Sequence, residues 1–208
     1  MTASTERVSP LSGWSTQFAA CGEASGHFSI REIPLASQIN LRGNAADPAF
    51  AAAVGAAVGC TLPAISNTWS GDANCAALWL GPDEWLVVGP DGKNEELCTR
   101  LRTGLAGLHH SVVDLSANRT TIEIAGADAR TVLAKGCPLD LHSTAFGPGQ
   151  CAQSLLAKSQ VILQCTDARP AFRLFVRLSF APYVAEWLLD AAAELAASRN
   201  AGMLGLRL

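Results

Sequence analysis

Alternating apolar and polar residues predict short strands in the first half of the chain. Residues 28–33 and 38–42 alternate with the period of a half-buried strand. Residues 77–80 and 84–88 are apolar runs separated by Gly81-Pro82-Asp83, a composition typical of a turn. These two runs are expected to form either two strands or one bent strand.

Helix signals are interspersed with these strands. Asp47 is a candidate N-cap, Pro48 occupies the first helical position, and Gly59 is a plausible terminating glycine after an Ala/Val-rich segment. A second segment carries leucines at steps of four, four and three residues: Leu97, Leu101, Leu105 and Leu108. This spacing predicts an amphipathic helix.

The second half repeats the same mixture of elements. Predicted strands cover residues 111–116, 119–125, 151–157, 160–165 and 171–177. A short helix is expected from near Gly126 to Gly136, whose missing Cβ suits the left-handed residue that ends a helix. A long helix is predicted over residues 180–197, with Ser179 as its N-cap and Phe180 on its buried face.

Irregular alternation of helices with hairpin-linked strands predicts an α+β fold. We expect antiparallel sheets with helices packed on one face, not a doubly wound parallel sheet. Residues 1–25 form a polar, Gly/Ser-rich N-terminal arm in which Trp14 and Phe18 are the anchors. We expect this arm to be either flexible or laid on a neighbouring subunit.

Composition indicates a protein partner and argues against several other partners. Of 208 residues, 49% are hydrophobic and 16% are charged, well below the roughly 25% charged residues of an average soluble domain. Surface covered by another chain would explain that deficit. The net charge is −3 and no basic run occurs, so composition argues against nucleic acid and anionic membranes as partners. Without a spanning segment or secretory signal, we predict a cytoplasmic protein.

The search for metal-binding and catalytic motifs yields no assembled site. The seven cysteines are widely spaced, lack a CxxC pair and are predicted to be reduced thiols. No nucleophile elbow, HExxH or phosphate-binding loop stands in the required context. Asp114 lies inside an apolar strand, where it is either an acid of raised pKa or a carboxylate that accepts hydrogen bonds from Ser116 and nearby amides. We therefore predict no catalytic, cofactor-binding or metal-binding residue.

Five residues are candidates for contacts with another chain. Arg177 lies four residues after Arg173 on one face of a predicted strand, where the pair could hold a carboxylate, meet acids of another chain or face solvent. Trp and Arg concentrate binding energy at interfaces, although the core is the favoured alternative for the aromatic residues. The interface candidates are Trp79, Trp85, Arg119, Arg177 and Phe180.

Four blocks of sequence, in order, resemble the gamma subunit of heterotetrameric sarcosine oxidase. They are Leu78-Trp79-Leu80-Gly81-Pro82-Asp83-Glu84-Trp85-Leu86-Val87-Val88, Val113-Asp114-Leu115-Ser116 with Arg119, Leu133-Ala134-Lys135-Gly136-Cys137-Pro138-Leu139-Asp140-Leu141, and Val176-Arg177-Leu178-Ser179-Phe180-Ala181. The resemblance covers about residues 28–195 and excludes the N-terminal arm.

This resemblance implies a fold related to the aminomethyltransferase of the glycine cleavage system. Two small α+β units, at least one ferredoxin-like, would share residues 26–208 as intertwined subdomains, with an approximate split into 26–110 and 111–208. The resemblance also implies alpha, beta and delta partner subunits that carry NAD, FAD, FMN and zinc. The complex would convert sarcosine to glycine and produce peroxide and either formaldehyde or methylenetetrahydrofolate.

Three functions are consistent with these observations. The first is a non-catalytic structural subunit that buries a large, partly apolar surface against the other subunits. The second is a free-standing folate-binding enzyme of aminomethyltransferase type that uses Asp114 as general acid or base. The third is a monomeric binding regulator that has lost catalysis.

Overall fold

The computed structural model describes residues 7–72 and 74–205. These described residues contain five α-helices: α1 (Ser15–Ser25), α2 (Pro48–Val58), α3 (Asn94–Gly104), α4 (Ala129–Ala134) and α5 (Ala181–Gly205). Ten strands accompany them: β1 (Ser29–Ile33), β2 (Ser37–Gly43), β3 (Trp69–Gly71), β4 (Ala76–Gly81), β5 (Glu84–Gly89), β6 (His110–Asp114), β7 (Arg119–Ala125), β8 (Cys151–Leu156), β9 (Ser159–Asp167) and β10 (Ala171–Arg177). The predicted N-terminal arm and the predicted C-terminal subdomain include residues 1–6 and 206–208, which lie outside the described residues.

The strands form two five-stranded sheets in which neighbouring strands are antiparallel. The N-terminal sheet has the order β3-β4-β5-β2-β6, and the C-terminal sheet has the order β1-β7-β10-β9-β8. Within the N-terminal sheet, the succession β2-α2-β4-β5-α3-β6 is that of a ferredoxin-like unit, with β3 added at one edge. The predicted α+β class with antiparallel sheets is confirmed.

Each sheet packs helices on its outer face, and the two inner faces meet. Helices α2 and α3 cover the N-terminal sheet, whereas α1, α4 and α5 pack against the core of the C-terminal sheet. Between the sheets lies a smaller apolar cluster formed by Ala76, Leu78, Leu86, Cys151, Ile162 and Phe175. Successive side chains of a strand point to opposite faces of its sheet. Each sheet therefore packs apolar side chains against its helices on the outer face and against the other sheet on the inner face.

Local chemistry explains where α2 begins and ends. The Asp47 Oδ1 atom accepts a hydrogen bond from the backbone N–H of Ala49 at 2.9 Å, and Pro48 provides the first helical residue. Gly59 adopts a left-handed conformation with φ of 79° and ends the helix. The helix buries Phe50 and Val54 against the N-terminal sheet, so both predicted boundaries are confirmed.

Two predicted end signals of helices in the second half are wrong. Gly136 does not adopt a left-handed conformation; a Cβ there would instead lie 2.5 Å from the indole ring of Trp187 in α5. Ser179 lies inside a 3-10 turn, Leu178–Phe180, and therefore does not cap α5. In the same turn Phe180 is 43% exposed, contrary to its predicted place on the buried face of the helix.

The N-terminal arm packs on its own chain over its described part. Leu11 and Phe18 are buried in the core of the C-terminal sheet, and the Phe18 ring lies 6.1 Å from that of Trp14. The adjacent strand β1 also joins the C-terminal sheet, alongside β7. The two sheets are thus interleaved along the chain, and the division into residues 26–110 and 111–208 stays a prediction.

Candidate interface residues and an arginine-lined cavity

The two candidate tryptophans lie opposite one another on β4 and β5 but differ in burial. Trp85 is 0% exposed, its indole N–H donates to the Pro63 carbonyl at 2.8 Å, and its ring centroid lies 6.1 Å from that of Phe50. Trp79 packs against the same core and is only half-buried. The structure therefore assigns Trp85 to the core and leaves Trp79 with surface that another chain could contact.

Phe180 and Arg177 lie at the end of β10, where apolar and charged groups reach the surface together. Phe180 follows Arg177 by three residues and exposes 43% of its surface. On β8, Leu155 is 46% exposed. Exposed aromatic and aliphatic side chains beside arginine match the composition of protein interfaces.

A group of paired charges crosses one end of the C-terminal sheet. Arg31 of β1 and Arg173 of β10 lie on either side of Glu123 of β7 in the strand register. Arg31 Nε donates to Glu123 Oε1 at 2.8 Å, and Arg173 Nε donates to Glu123 Oε2 at 3.1 Å. One carboxylate thereby accepts from two guanidinium groups.

At the opposite end of strands β7 and β10, two arginines face each other. Arg119 begins β7 and Arg177 ends β10, and the register places them directly opposite. Among the described residues no acidic side chain forms an ion pair with either. The Arg119 Nη1 atom is buried without a hydrogen-bond partner. Burial lowers the pKa of Arg119, the like charge of Arg177 lowers it further, and Glu84 opposes both effects.

These two arginines line a cavity of about 400 Å³ on the inner face of the C-terminal sheet. Its walls include Pro138, Gln153, Leu155 and Phe175. The Gln153 side-chain amide donates to the carbonyl of Leu80 at 2.9 Å, which fixes this wall against the N-terminal sheet. Ser154 and Gln160 also line it, so the cavity combines two positive groups with walls that are partly polar and partly apolar, a chemistry suited to an anion.

Asp114 is held as a carboxylate by local hydrogen bonds. Its Oδ1 accepts from the Ser116 N–H at 2.9 Å and from the Ser116 hydroxyl at 2.6 Å, and its Oδ2 accepts from the Asn94 amide at 2.7 Å. Partial burial raises the pKa of Asp114, but these hydrogen bonds and the charge of Arg7 outweigh it, and the pKa lies below its ordinary value. Of the two roles predicted for Asp114, the geometry favours the locally bonded carboxylate over the acid of raised pKa.

The cysteines are free thiols, and two of them are strongly protected by burial. Desolvation raises the pKa of Cys75 to about 11 and that of Cys151 to about 12, so both carry a proton at neutral pH. Within the described ranges, no three His, Cys, Asp or Glu side chains come together in a group that could hold a metal ion. No helix in those ranges is long and apolar enough to cross a membrane.

Comparison with known proteins gives the family. The profile of the sarcosine oxidase, gamma subunit family (SoxG) matches residues 42–194. The chain belongs to this family. It is similar to the sarcosine oxidase subunit gamma of Corynebacterium sp. (strain P-1), with 38% identity over 178 residues that cover 85% of this chain and 86% of the relative. The predicted resemblance to the gamma subunit is confirmed.

Solved structures extend the likeness of this gamma-family chain to its fold. It superposes on a chain of the heterotetrameric sarcosine oxidase from Corynebacterium sp. U-96 with a TM-score of 0.81 and 34% identity, covering 91% of this chain and 96% of that one. An aminomethyltransferase of the glycine cleavage system from Bartonella henselae matches with a TM-score of 0.60 and 15% identity, over 83% of this chain and 48% of that chain. The second match shows the fold alone and confirms the expected likeness to the aminomethyltransferase fold.

Both arginines of the cavity are among the interface candidates predicted from sequence, but their position opposite one another is not predicted. The sequence pattern groups Arg177 with Arg173, which share a strand, whereas the structure brings Arg177 to Arg119 of the neighbouring strand. Both strands are predicted with their observed bounds, but only the antiparallel pairing of β7 with β10 sets the first residue of one against the last of the other. Nothing in the sequence pattern indicates that the Nη1 atom of Arg119 is buried without a hydrogen-bond partner.

Proposed function

We propose that this chain is a non-catalytic structural subunit of a heterotetrameric sarcosine oxidase. Its partners would be the alpha, beta and delta subunits, which would carry FAD, FMN, NAD and zinc and convert sarcosine to glycine with formation of peroxide and either formaldehyde or methylenetetrahydrofolate. The observation that carries this proposal is the superposition over 96% of a chain within a heterotetrameric sarcosine oxidase, with a TM-score of 0.81.

The chemistry of the described side chains supports a structural role. Asp114 is engaged by Ser116 and Asn94 and has a lowered pKa, which makes it a poor proton donor at neutral pH. Burial keeps Cys75 and Cys151 protonated, and a protonated thiol is a weak nucleophile. Free thiols throughout are also typical of the cytoplasm, where we place the complex.

Surface composition supports burial of this chain in an assembly. Only 16% of its residues are charged, and Leu155 and Phe180 expose nearly half of their surfaces near an arginine without an ion-pair partner. Subunits of obligate complexes bury more than about 2,000 Å² in interfaces richer in apolar groups than ordinary surface. We expect the isolated chain to self-associate for this reason.

Co-expression tests the proposal directly. The alpha, beta and delta subunits are produced with and without this chain, and the stability and sarcosine turnover of the purified complexes are compared. We expect the complex without this chain to lose stability and turnover. A three-subunit complex with full stability and turnover would contradict the structural role.

Light scattering and tetrahydrofolate titration of the isolated chain separate this role from a free-standing enzyme. We expect self-association at micromolar concentration and no binding of tetrahydrofolate. A stable monomer that binds tetrahydrofolate, and loses transfer activity in the Asp114→Asn variant while its fold persists, would instead establish the folate-binding enzyme.

A further inference from the structure

The C-terminal sheet contains two pairs of arginines that differ in whether an acidic side chain binds them. Arg31 and Arg173 flank Glu123, and each donates a hydrogen bond to one of its carboxylate oxygens. Arg119 and Arg177 lie four residues further along the same strands β7 and β10, where no described acid forms an ion pair with them. The first pair shares an acid, whereas the second has two positive charges and no ion-pair partner among the described residues.

Positions directly opposite on antiparallel strands place Cβ atoms roughly 4.5–5.5 Å apart, and like charges at such positions repel. Burial strengthens this effect at Arg119, whose Nη1 atom has neither water contact nor a hydrogen-bond partner. Glu84, the acid that acts electrostatically on Arg119, uses its Oε1 atom to accept from the Asn40 amide at 2.7 Å. Folding of the isolated chain therefore leaves the Arg119 Nη1 donor unsatisfied and its charge beside that of Arg177.

We propose that the Arg119–Arg177 cavity binds an aspartate or glutamate side chain of a partner subunit. This inference rests on the proposed function, since it names the surface by which the chain would join the complex. A carboxylate placed between the two guanidinium groups would occupy the role that Glu123 has at the other end of the strands, and planar guanidinium groups bind carboxylates through paired hydrogen bonds.

The surroundings of the cavity favour a protein partner over a small acid. The volume of about 400 Å³ exceeds what one acidic side chain needs and admits the backbone that carries it. Leu155 lines the cavity and is 46% exposed, and Phe180 is 43% exposed three residues beyond Arg177. Apolar surface around a central arginine is the arrangement found at the energetic centre of protein interfaces.

The test uses Arg177→Glu, which supplies the absent carboxylate within the chain. Arg119 would then face an acid in register, as Arg173 faces Glu123. We expect the isolated variant to unfold at a higher urea concentration than the wild type, whereas its affinity for the co-expressed alpha, beta and delta subunits falls at least tenfold. Arg177→Gln removes the like charge without adding an acid, and we expect the same two directions with smaller changes.

Arg100→Glu is the matched control. Arg100 is an exposed arginine of helix α3 whose ion pair with Glu96 spans 3.8 Å. We expect this reversal to change affinity for the other subunits less than twofold. Affinity is measured by competition of tagged and untagged chain for the assembled complex at two salt concentrations, and the loss in Arg177→Glu should shrink as salt screens the charges.

The outcomes separate this inference from the proposed function. Failure of the wild-type chain to join the other subunits would overturn the proposed function and with it this docking site. Assembly of the wild type and of Arg177→Glu with equal affinity would overturn the docking site alone. A thermal stabilisation of the wild-type chain by succinate that Arg177→Gln abolishes, with unchanged assembly, would assign the cavity to a small free acid instead.

Discussion

Replacement of Gly136 by alanine tests whether close approach, and not backbone conformation, requires glycine after helix α4. The added Cβ atom would lie 2.5 Å from Cζ2 and 2.9 Å from Cη2 of Trp187, and 3.2 Å from the backbone nitrogen of Ala157. The Ala157 N–H donates to the Gly136 carbonyl at 2.9 Å, so this backbone resists displacement. The indole ring of α5 must therefore move outward.

The expected loss of stability follows from this crowding. One methyl group forced into a packed site costs roughly 1–3 kcal/mol, because neighbours leave their preferred rotamers. Gly136 does not have positive φ, so no left-handed strain adds to that figure. For a chain of this length, each 1 kcal/mol lowers the melting temperature by roughly 2–4 °C.

Gly55→Ala and Trp187→Phe are the controls. Gly55 lies inside helix α2, and a Cβ there would meet the Cys60 carbonyl at an ordinary 3.4 Å, so the same substitution should stabilise by about 0.5–1 kcal/mol. Phenylalanine at position 187 lacks the outer indole ring that the new methyl group would strike. In that background, Gly136→Ala should destabilise by less than about 0.5 kcal/mol, as expected for contacting residues that couple.

Pulse proteolysis of the full chain across a urea series measures these differences at submicromolar concentration, where association is suppressed. The four variants of the cycle yield the coupling between positions 136 and 187. An equal loss in both backgrounds would show that Trp187 is not the obstacle and would refute the packing explanation for Gly136.

Two further predictions concern local hydrogen bonds. Asp47→Ala removes the acceptor for the Ala49 N–H and should destabilise the chain by about 0.5–2 kcal/mol in urea denaturation; Asp47→Asn, which keeps an acceptor, should retain most of that stability. Asp114 has a lowered pKa in the folded chain, so its ionised form contributes stability above its ordinary pKa and loses it as pH falls through the folded value. The difference in unfolding free energy between wild type and Asp114→Asn should therefore be largest near neutral pH and should disappear as the pH falls below about 4. A difference independent of pH would contradict this.

Much of the secondary structure follows from local sequence. Strands β7 and β10 have the bounds that their alternation predicts, and helix α2 begins and ends at Pro48 and Val58 because Asp47 and Gly59 act within one turn of those ends. Such signals need no knowledge of the rest of the chain. The three-residue strand β3 was not predicted, since its hydrogen bonds to β4 define it better than its composition does.

Errors concentrate where distant segments meet. Gly136 and Trp187 are separated by 50 positions in the sequence, and only packing of α5 reveals why a side chain is excluded between them. Trp85 was predicted as core or interface by composition alone; its hydrogen bond to Pro63 and its contact with Phe50 decide for the core. The same limit applies to the cavity, since pairing of β7 with β10 is what sets Arg119 against Arg177.

The electrostatics of the C-terminal sheet connect its folding with assembly. Glu123 shows that one acid in register can form hydrogen bonds with two arginines of this sheet, and the chain has 18 acidic residues against 15 Lys and Arg. An uncompensated pair at Arg119 and Arg177 therefore does not arise from a shortage of acids. In the isolated chain this pair opposes folding through repulsion and an unsatisfied buried donor. A carboxylate delivered by another subunit would offset the repulsion between the two arginines, so stability lacking in the free chain would be recovered as binding free energy.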